Sequence, residues 1–142
     1  MKTQRNPGRR VTLCAGLLLA LTGETHAWAN TIHVNTTADP GSAGACALRD
    51  AVTAAATDAA VNGCAAGSGA DNIVFDMSGK ITLTDTLFFL GTDSITIDGA
   101  GRSITLDGNN AVQIMQVEGS PLNLKTLTLA NASVPVHGGG AR

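Results

Sequence analysis

The sequence is poor in aromatic residues, in charge and in long apolar runs. Its 142 residues include three Phe, one Trp and no Tyr, and 14% are Asp, Glu, Lys or Arg. So few aromatic side chains leave no platform on which sugars or nucleic-acid bases could stack. The longest apolar run, Val11–Leu21, is shorter than the roughly 20 residues of a membrane-spanning helix. We therefore expect no membrane span in this chain.

Residues 1–29 have the composition of a secretory signal peptide. Basic residues precede the apolar run, and Ala27-Trp28-Ala29 places small residues where a signal peptidase cleaves. We predict cleavage between Ala29 and Asn30, which leaves 113 residues with 5 Lys and Arg against 10 Asp and Glu, a net charge of −5. An acidic chain without a basic cluster is not expected to bind nucleic acid.

A short pattern of alternating apolar and polar residues returns at a fixed interval. It occupies residues 81–84, 104–107 and 127–130, so each copy begins 23 residues after the last. Alternation with a period of two predicts β-strands, and repetition at this interval is typical of solenoid proteins. We expect Ile81, Ile104 and Leu127 to form one inward column.

Further strands are predicted on either side of each copy. One set comprises residues 73–76, 95–98 and 122–125, and another comprises 87–90 and 112–115, with Gly-rich turns between them. About three strands per repeat predict an all-β fold, a right-handed parallel β-helix of about three coils over residues 67–142. The alternative is an antiparallel hairpin from 95 to 107 within a meander.

Residues 30–66 precede the repeats and have a different character. Residues 31–37 alternate as a strand, and 47–57 form an amphipathic pattern in which Leu48 and Val52 share one helical face while Arg49 and Asp50 lie elsewhere. The exposed aliphatic face of a first coil needs a cover. We therefore expect this helix to cap the amino end of the β-helix.

Cys46 and Cys64 remain after the signal peptide, with Cys14, is removed. Export favours a disulfide between them, and the alternative is two free thiols. A disulfide needs Cα atoms within about 7 Å, whereas a continuous helix from 47 to 61 would hold the sulfurs some 20 Å apart. The helix must then end near Thr57.

The segment Cys46–Ala51 resembles the Cys-Ser-Leu-Arg-Glu-Ala motif of bacterial secreted β-helix proteins, with Ala47 in place of Ser and Asp50 in place of Glu. Residues 67–75 and 95–99 resemble that family's Gly-Ala-Asp-Thr-Ile segment and its first full coil. The family includes polymorphic outer-membrane and autotransporter-like proteins with a pectin-lyase-like fold. The resemblance implies an extracellular or outer-membrane location more than an activity.

The sequence offers few residues for chemistry. Asp76, Asp98 and Lys125 would form an outward column if the strands stack in register, where two carboxylates could hold Ca²⁺ or act as acid and base. We favour a solvated column neutralised by Lys125. His33 and His137 lie far apart along the chain and are not expected to bind metal. No catalytic residue, metal site or cofactor is predicted.

Two functions of different class remain. A structural or adhesive protein at the cell surface is favoured, and the alternative is the amino-terminal part of a carbohydrate-active enzyme, such as a polysaccharide lyase or hydrolase. Surface glycans or proteins are the expected partners. The chain ends shortly after the third repeat, so we also expect a part of a longer protein, or end-to-end self-association through aliphatic side chains left at that end.

Overall fold

The computed structural model describes residues 29–134. The predicted signal peptide, except Ala29, lies outside this range, and so does the Gly-rich tail with His137. Within it the chain forms nine β-strands and one α-helix. Their bounds are β1 (Thr31–Val34), α1 (Leu48–Thr57), β2 (Asp71–Phe75), β3 (Gly79–Thr82), β4 (Leu87–Leu90), β5 (Ile95–Asp98), β6 (Ile104–Asp107), β7 (Met115–Glu118), β8 (Leu122–Lys125) and β9 (Thr128–Ala130).

The strands form three parallel sheets, ordered β1-β2-β5-β8, β3-β6-β9 and β4-β7. From β2 onward the chain visits the three sheets in rotation: two passes add one strand to each sheet, and a third adds β8 and β9 to the first two sheets. The prediction of a mostly β protein with parallel strands is confirmed. The alternative hairpin from 95 to 107 is wrong, because β5 and β6 lie in different sheets and neither pairs with the other.

The predicted inward column of Ile81, Ile104 and Leu127 is out of register by two residues at its first step. The second step keeps the predicted spacing of 23 residues, since Thr105 lies beside Thr128. Ile81 lies beside Leu106, which lies beside Leu129, whereas Ile104 lies beside Gly79. A shift of two residues keeps the same face inward, so the alternating pattern is equally satisfied by both registers. The third strand of the second repeat is also displaced, since β7 begins at Met115 rather than at 112.

Helix α1 packs against β1, β2 and β4 and ends at Thr57, followed by Asp58 in the left-handed conformation. The helix ends where the sequence predicted. Cys46 and Cys64 are joined by a disulfide with their Cα atoms 4.6 Å apart. The expectation that Asp50 lies off the packed face is wrong, because Asp50 is buried together with Leu48 and Val52.

The core is a single cluster of aliphatic side chains and two Phe rings that point inward from all three sheets. Helix α1 and the disulfide contribute to the same cluster. Ile73, Ile97, Ile81, Leu106 and Phe89 are fully buried. At about 25 cal/mol per Å² of apolar surface, burial of this kind is the main stabilising contribution to such a fold.

Candidate functional site

Arg49, in the segment Cys46–Ala51, links helix α1 to two loops. Arg49 donates two hydrogen bonds to the Asp39 carboxylate, at 2.7 and 2.8 Å, and two more to the carbonyls of Asp85 and Thr86. Thr84 also donates to Asp39 through its backbone amide, at 2.8 Å. These bonds tie α1 to the turn after β1 and to the loop before β4.

The Asp39 carboxylate is buried and ionised. Burial acts to raise its pKa, but hydrogen bonds from Arg49 and Thr84 and the guanidinium charge outweigh burial, so the pKa of Asp39 lies below its usual value. The hydrogen bond to Asp39 likewise raises the pKa of Arg49. A bidentate ion pair of this kind, with further bonds to Thr84, Asp85 and Thr86, holds the surrounding loops together.

Two further carboxylates are buried and incompletely bonded. Oδ2 of Asp50 and Oδ2 of Asp71 accept no hydrogen bond from the described residues. Each lies against a glycine, at Gly41 and Gly67, where a Cβ atom would come within 2.4 Å of the oxygen. Sequence reasoning missed both carboxylates, although Asp71 belongs to the second segment of the family resemblance.

The predicted column of Asp76, Asp98 and Lys125 is partly wrong. Asp98 lies beside Lys125, but its other neighbour is Val74, and Asp76 lies outside the column. Asp76 instead pairs with Nδ1 of His33 at 2.8 Å on the exposed surface. Asp98 accepts the backbone amide of Ala100. The register therefore separates Asp76 from Asp98, the two carboxylates that could have bound Ca²⁺ together or acted as an acid and base pair.

Asp107 is the most strongly perturbed carboxylate. Its Oδ2 accepts Lys80 Nζ at 2.9 Å, and its Oδ1 accepts the backbone amide of Asn109 and the side-chain amide of Asn131. These bonds lower the pKa of Asp107 to about 2. Lys80 lies in β3, Asn109 in the turn after β6 and Asn131 directly after β9, so the cluster links successive strands.

A polar cleft of about 300 Å³ lies between the loop before β4 and the segment around β7. Asp85 is the carboxylate among its lining residues, which otherwise offer amides and hydroxyls from Gln113, Gln116, Thr86 and Ser133. Glycoside hydrolysis generally needs two carboxylates on opposite sides of the scissile bond. The cleft can therefore donate and accept hydrogen bonds, but its lining supplies half of such a pair.

The inward columns become exposed at the last strand of each sheet. Leu124 is 38% exposed beside fully buried Ile97, and Leu129 is 47% exposed beside fully buried Leu106. In the third sheet Val117 is 47% exposed beside buried Phe89. The free edges of β7, β8 and β9 thus surround an aliphatic surface, which we call the open end.

The amino end is covered by elements outside the repeats. Strand β1 pairs with β2, Thr37 lies against Gly79 of β3, and α1 packs against β4. Each of the three sheets therefore has a neighbour at this end. The open end is the larger unpartnered feature of the described chain and is our candidate functional site.

In the described part of the chain, no group of three or more His, Cys, Asp or Glu side chains is placed to hold a metal ion. Across residues 29–134, no helix has the length and apolar character that crossing a membrane requires. No protein-family model, curated protein or solved structure matches this chain.

Proposed function

We propose that this chain is an exported structural or adhesive protein of a bacterial cell surface, built as a right-handed parallel β-helix. The rotation of the chain through three parallel sheets supports the β-helix, because successive strands along the chain join the three sheets in a fixed order. Right-handed connections between parallel strands are favoured by strand twist. The three sheets are then the faces of one β-helix.

The observation that carries the structural role is the open end. Strand edges with free N–H and C=O groups, next to exposed aliphatic side chains, are a template for further strands. The charged side chains of Asp39, Arg49, Lys80 and Asp107, in contrast, form ion pairs within the fold. A carbohydrate-active enzyme is the second candidate, favoured by the polar cleft at Asp85, and it needs a second carboxylate to face that cleft.

The occupant we propose for the open end is a second copy of the chain. The amino end is covered by β1 and α1, so two copies associate through their open ends around a two-fold axis. When that axis passes through the sheet of β8, the two β8 strands pair in antiparallel orientation. Leu124 and Leu129 of both copies are then removed from water.

Sedimentation velocity over a range of concentrations tests this association. The mature protein is expected to dimerise. Leu129→Asp is expected to keep it monomeric, because a carboxylate in the dimer interface is costly to bury. Leu90→Asp is the matched control, since Leu90 is also about half exposed but lies on the side of β4. A monomer at all concentrations, or equal effects of both variants, would reject the dimer.

Location is tested separately on intact cells that express the full-length chain with a carboxyl-terminal epitope. Protease added outside the cells is expected to remove the epitope while a cytoplasmic protein survives. An epitope protected until the cells are broken would reject the surface location. Hydrolysis or lyase activity on polysaccharides that disappears in Asp85→Asn would instead favour the enzyme.

A further inference from the structure

We propose that the buried Asp71 carboxylate is the binding site for the α-ammonium group that cleavage before Asn30 creates. The inference rests on the proposed export, because a signal peptidase supplies the cleavage. Hydrolysis of the Ala29–Asn30 peptide bond adds one water and leaves a carboxylate on Ala29 and an ammonium on Asn30. In neutral solution an α-amino group is largely protonated, since its ordinary pKa is about 7.7 to 8.0.

The backbone nitrogen of Asn30 already lies at the Asp71 carboxylate. It donates to Oδ1 of Asp71 at 3.2 Å. Two other bonds fix Asn30: its carbonyl accepts the amide of Asn72 at 2.8 Å, and its side-chain amide donates to the carbonyl of Ala66 at 2.9 Å. The nitrogen that becomes the new terminus is therefore held in place by strand pairing.

In the described chain the Asp71 carboxylate is bonded to neutral amides, and an ammonium would be its first charged partner. Asp71 is 2% exposed, and the donors that reach its Oδ1 are the backbone amides of Asn30 and Ser68. Its Oδ2 accepts no hydrogen bond from the described residues and lies against Gly67. A buried carboxylate is costly unless a charge or several donors compensate it.

Cleavage changes the nitrogen of Asn30 in the way this site requires. Before cleavage it is a neutral peptide amide with one hydrogen, and afterwards it is a cation with three. Charge-assisted hydrogen bonds are shorter and about twice as strong as neutral ones. Ala29 and Asn30 are both exposed. Processing and folding stability are thereby linked through one carboxylate.

The test compares two purified chains that differ by one residue, one beginning at Asn30 and one beginning at Ala29. The longer chain has the same composition apart from Ala29, but its ammonium is displaced from Asp71. In chemical denaturation the chain that begins at Asn30 is expected to have an unfolding equilibrium constant about 10- to 100-fold smaller. In Asp71→Asn the two chains should agree within about twofold, because the charge partner is gone. Asp93→Asn, an exposed carboxylate, is the matched control and should keep the difference.

A second measurement does not depend on a substitution that could prevent folding. The pKa of the α-amino group, measured by nitrogen NMR in the chain that begins at Asn30, should lie above its ordinary value and return to that value in the longer chain. Equal stability of the two wild-type chains, or an unshifted α-amino pKa in the shorter one, would overturn the proposal.

Failure of the Asp71 proposal can be distinguished from failure of the proposed export. Mass spectrometry of protein recovered from cells identifies the first residue, and a mature terminus other than Asn30 would overturn this proposal even if the protein reaches the surface. A chain that never leaves the cytoplasm would reject the proposed function, while the stability comparison on purified chains would still test Asp71 as an ammonium site.

Discussion

The two ends of the stacked sheets differ in whether other residues cover their last strands. At the amino end a strand, a turn and a helix lie beside the first strands, fastened by the Cys46–Cys64 disulfide and the Arg49–Asp39 ion pair. At the open end the same columns finish in Leu124, Leu129 and Val117, about half exposed. The difference shows that repeats bury one another but cannot cover their own last member. Covering an end takes residues from outside the repeat.

The largest contrast should come from matched truncations in one column. At protein concentrations at which the chain is monomeric, Ile97→Ala removes buried side-chain volume and should lower the free energy of unfolding by about 4 kcal/mol, whereas Leu124→Ala should cost less than about 1 kcal/mol. Both residues occupy neighbouring positions in the same sheet. Urea denaturation monitored by circular dichroism measures the two values. Similar losses in the monomer would contradict the exposure of Leu124 at the open end.

Removal of the disulfide should weaken the amino end selectively. The bond closes a loop of 18 residues. Cys46→Ala combined with Cys64→Ala should therefore cost about 3 kcal/mol in the chain-entropy account. Reducing agent should lower the stability of the wild type to that of the double variant and leave the variant unchanged. A wild type that is indifferent to reduction would contradict this role.

Arg49→Lys tests the ion pair that joins α1 to the loops. Lysine keeps the charge but cannot donate two parallel bonds to Asp39 and reach both carbonyls, so we expect a loss of about 2 kcal/mol. Arg102→Lys is the control, because Arg102 donates one bond, to the carbonyl of Phe75, and should cost less than about 1 kcal/mol. Equal losses of stability in the two variants would show that the bonds from Arg49 to Asp39 and the two carbonyls contribute no more than the single bond of Arg102.

The smallest effect concerns acid stability near the open end. The pKa of Asp107 is lowered from 3.8 to about 2 by Lys80, so its stabilising contribution is complete above pH 4 and is lost as the pH falls toward 2. Asp107→Asn should therefore be less stable than the wild type at pH 5 and equal to it near pH 2. Unfolding curves across this range give the comparison. A constant difference at every pH would exclude ionisation as the cause.

The sequence was sufficient to predict most of the strands, the parallel pairing, the end of the helix and the pairing of Cys46 with Cys64, but it misplaced β7. It was not sufficient for the register. Alternation reports which face a residue occupies, and a slip of two residues preserves that face, so Ile81 could be matched with Ile104 as well as with Leu106. The spacing between register partners, such as Ile97 and Leu124, depends on turns whose lengths differ from one repeat to the next.

The burial of three carboxylates was also not predicted from the sequence. Asp39, Asp50 and Asp71 are acidic residues near turns and helix starts, where the usual expectation is an exposed side chain. Their burial depends on contacts from distant parts of the chain, such as Thr84 with Asp39 and Asn30 with Asp71. The available signal was that Asp50 and Asp71 lie in the segments 46–51 and 67–75, which the sequence analysis had singled out.

The order of the strands also determines how the molecule responds to tension. Strands β8 and β9 each pair with a single neighbour, and in the described chain no disulfide crosses to them. Pulling on the two termini loads their hydrogen bonds a few at a time, so we expect them to peel away first and at low force. The Cys46–Cys64 disulfide links the two sides of α1, so α1 and the loop after it should yield last. A molecule anchored at its amino end would therefore extend in steps, one strand after another, while the anchored end kept its fold.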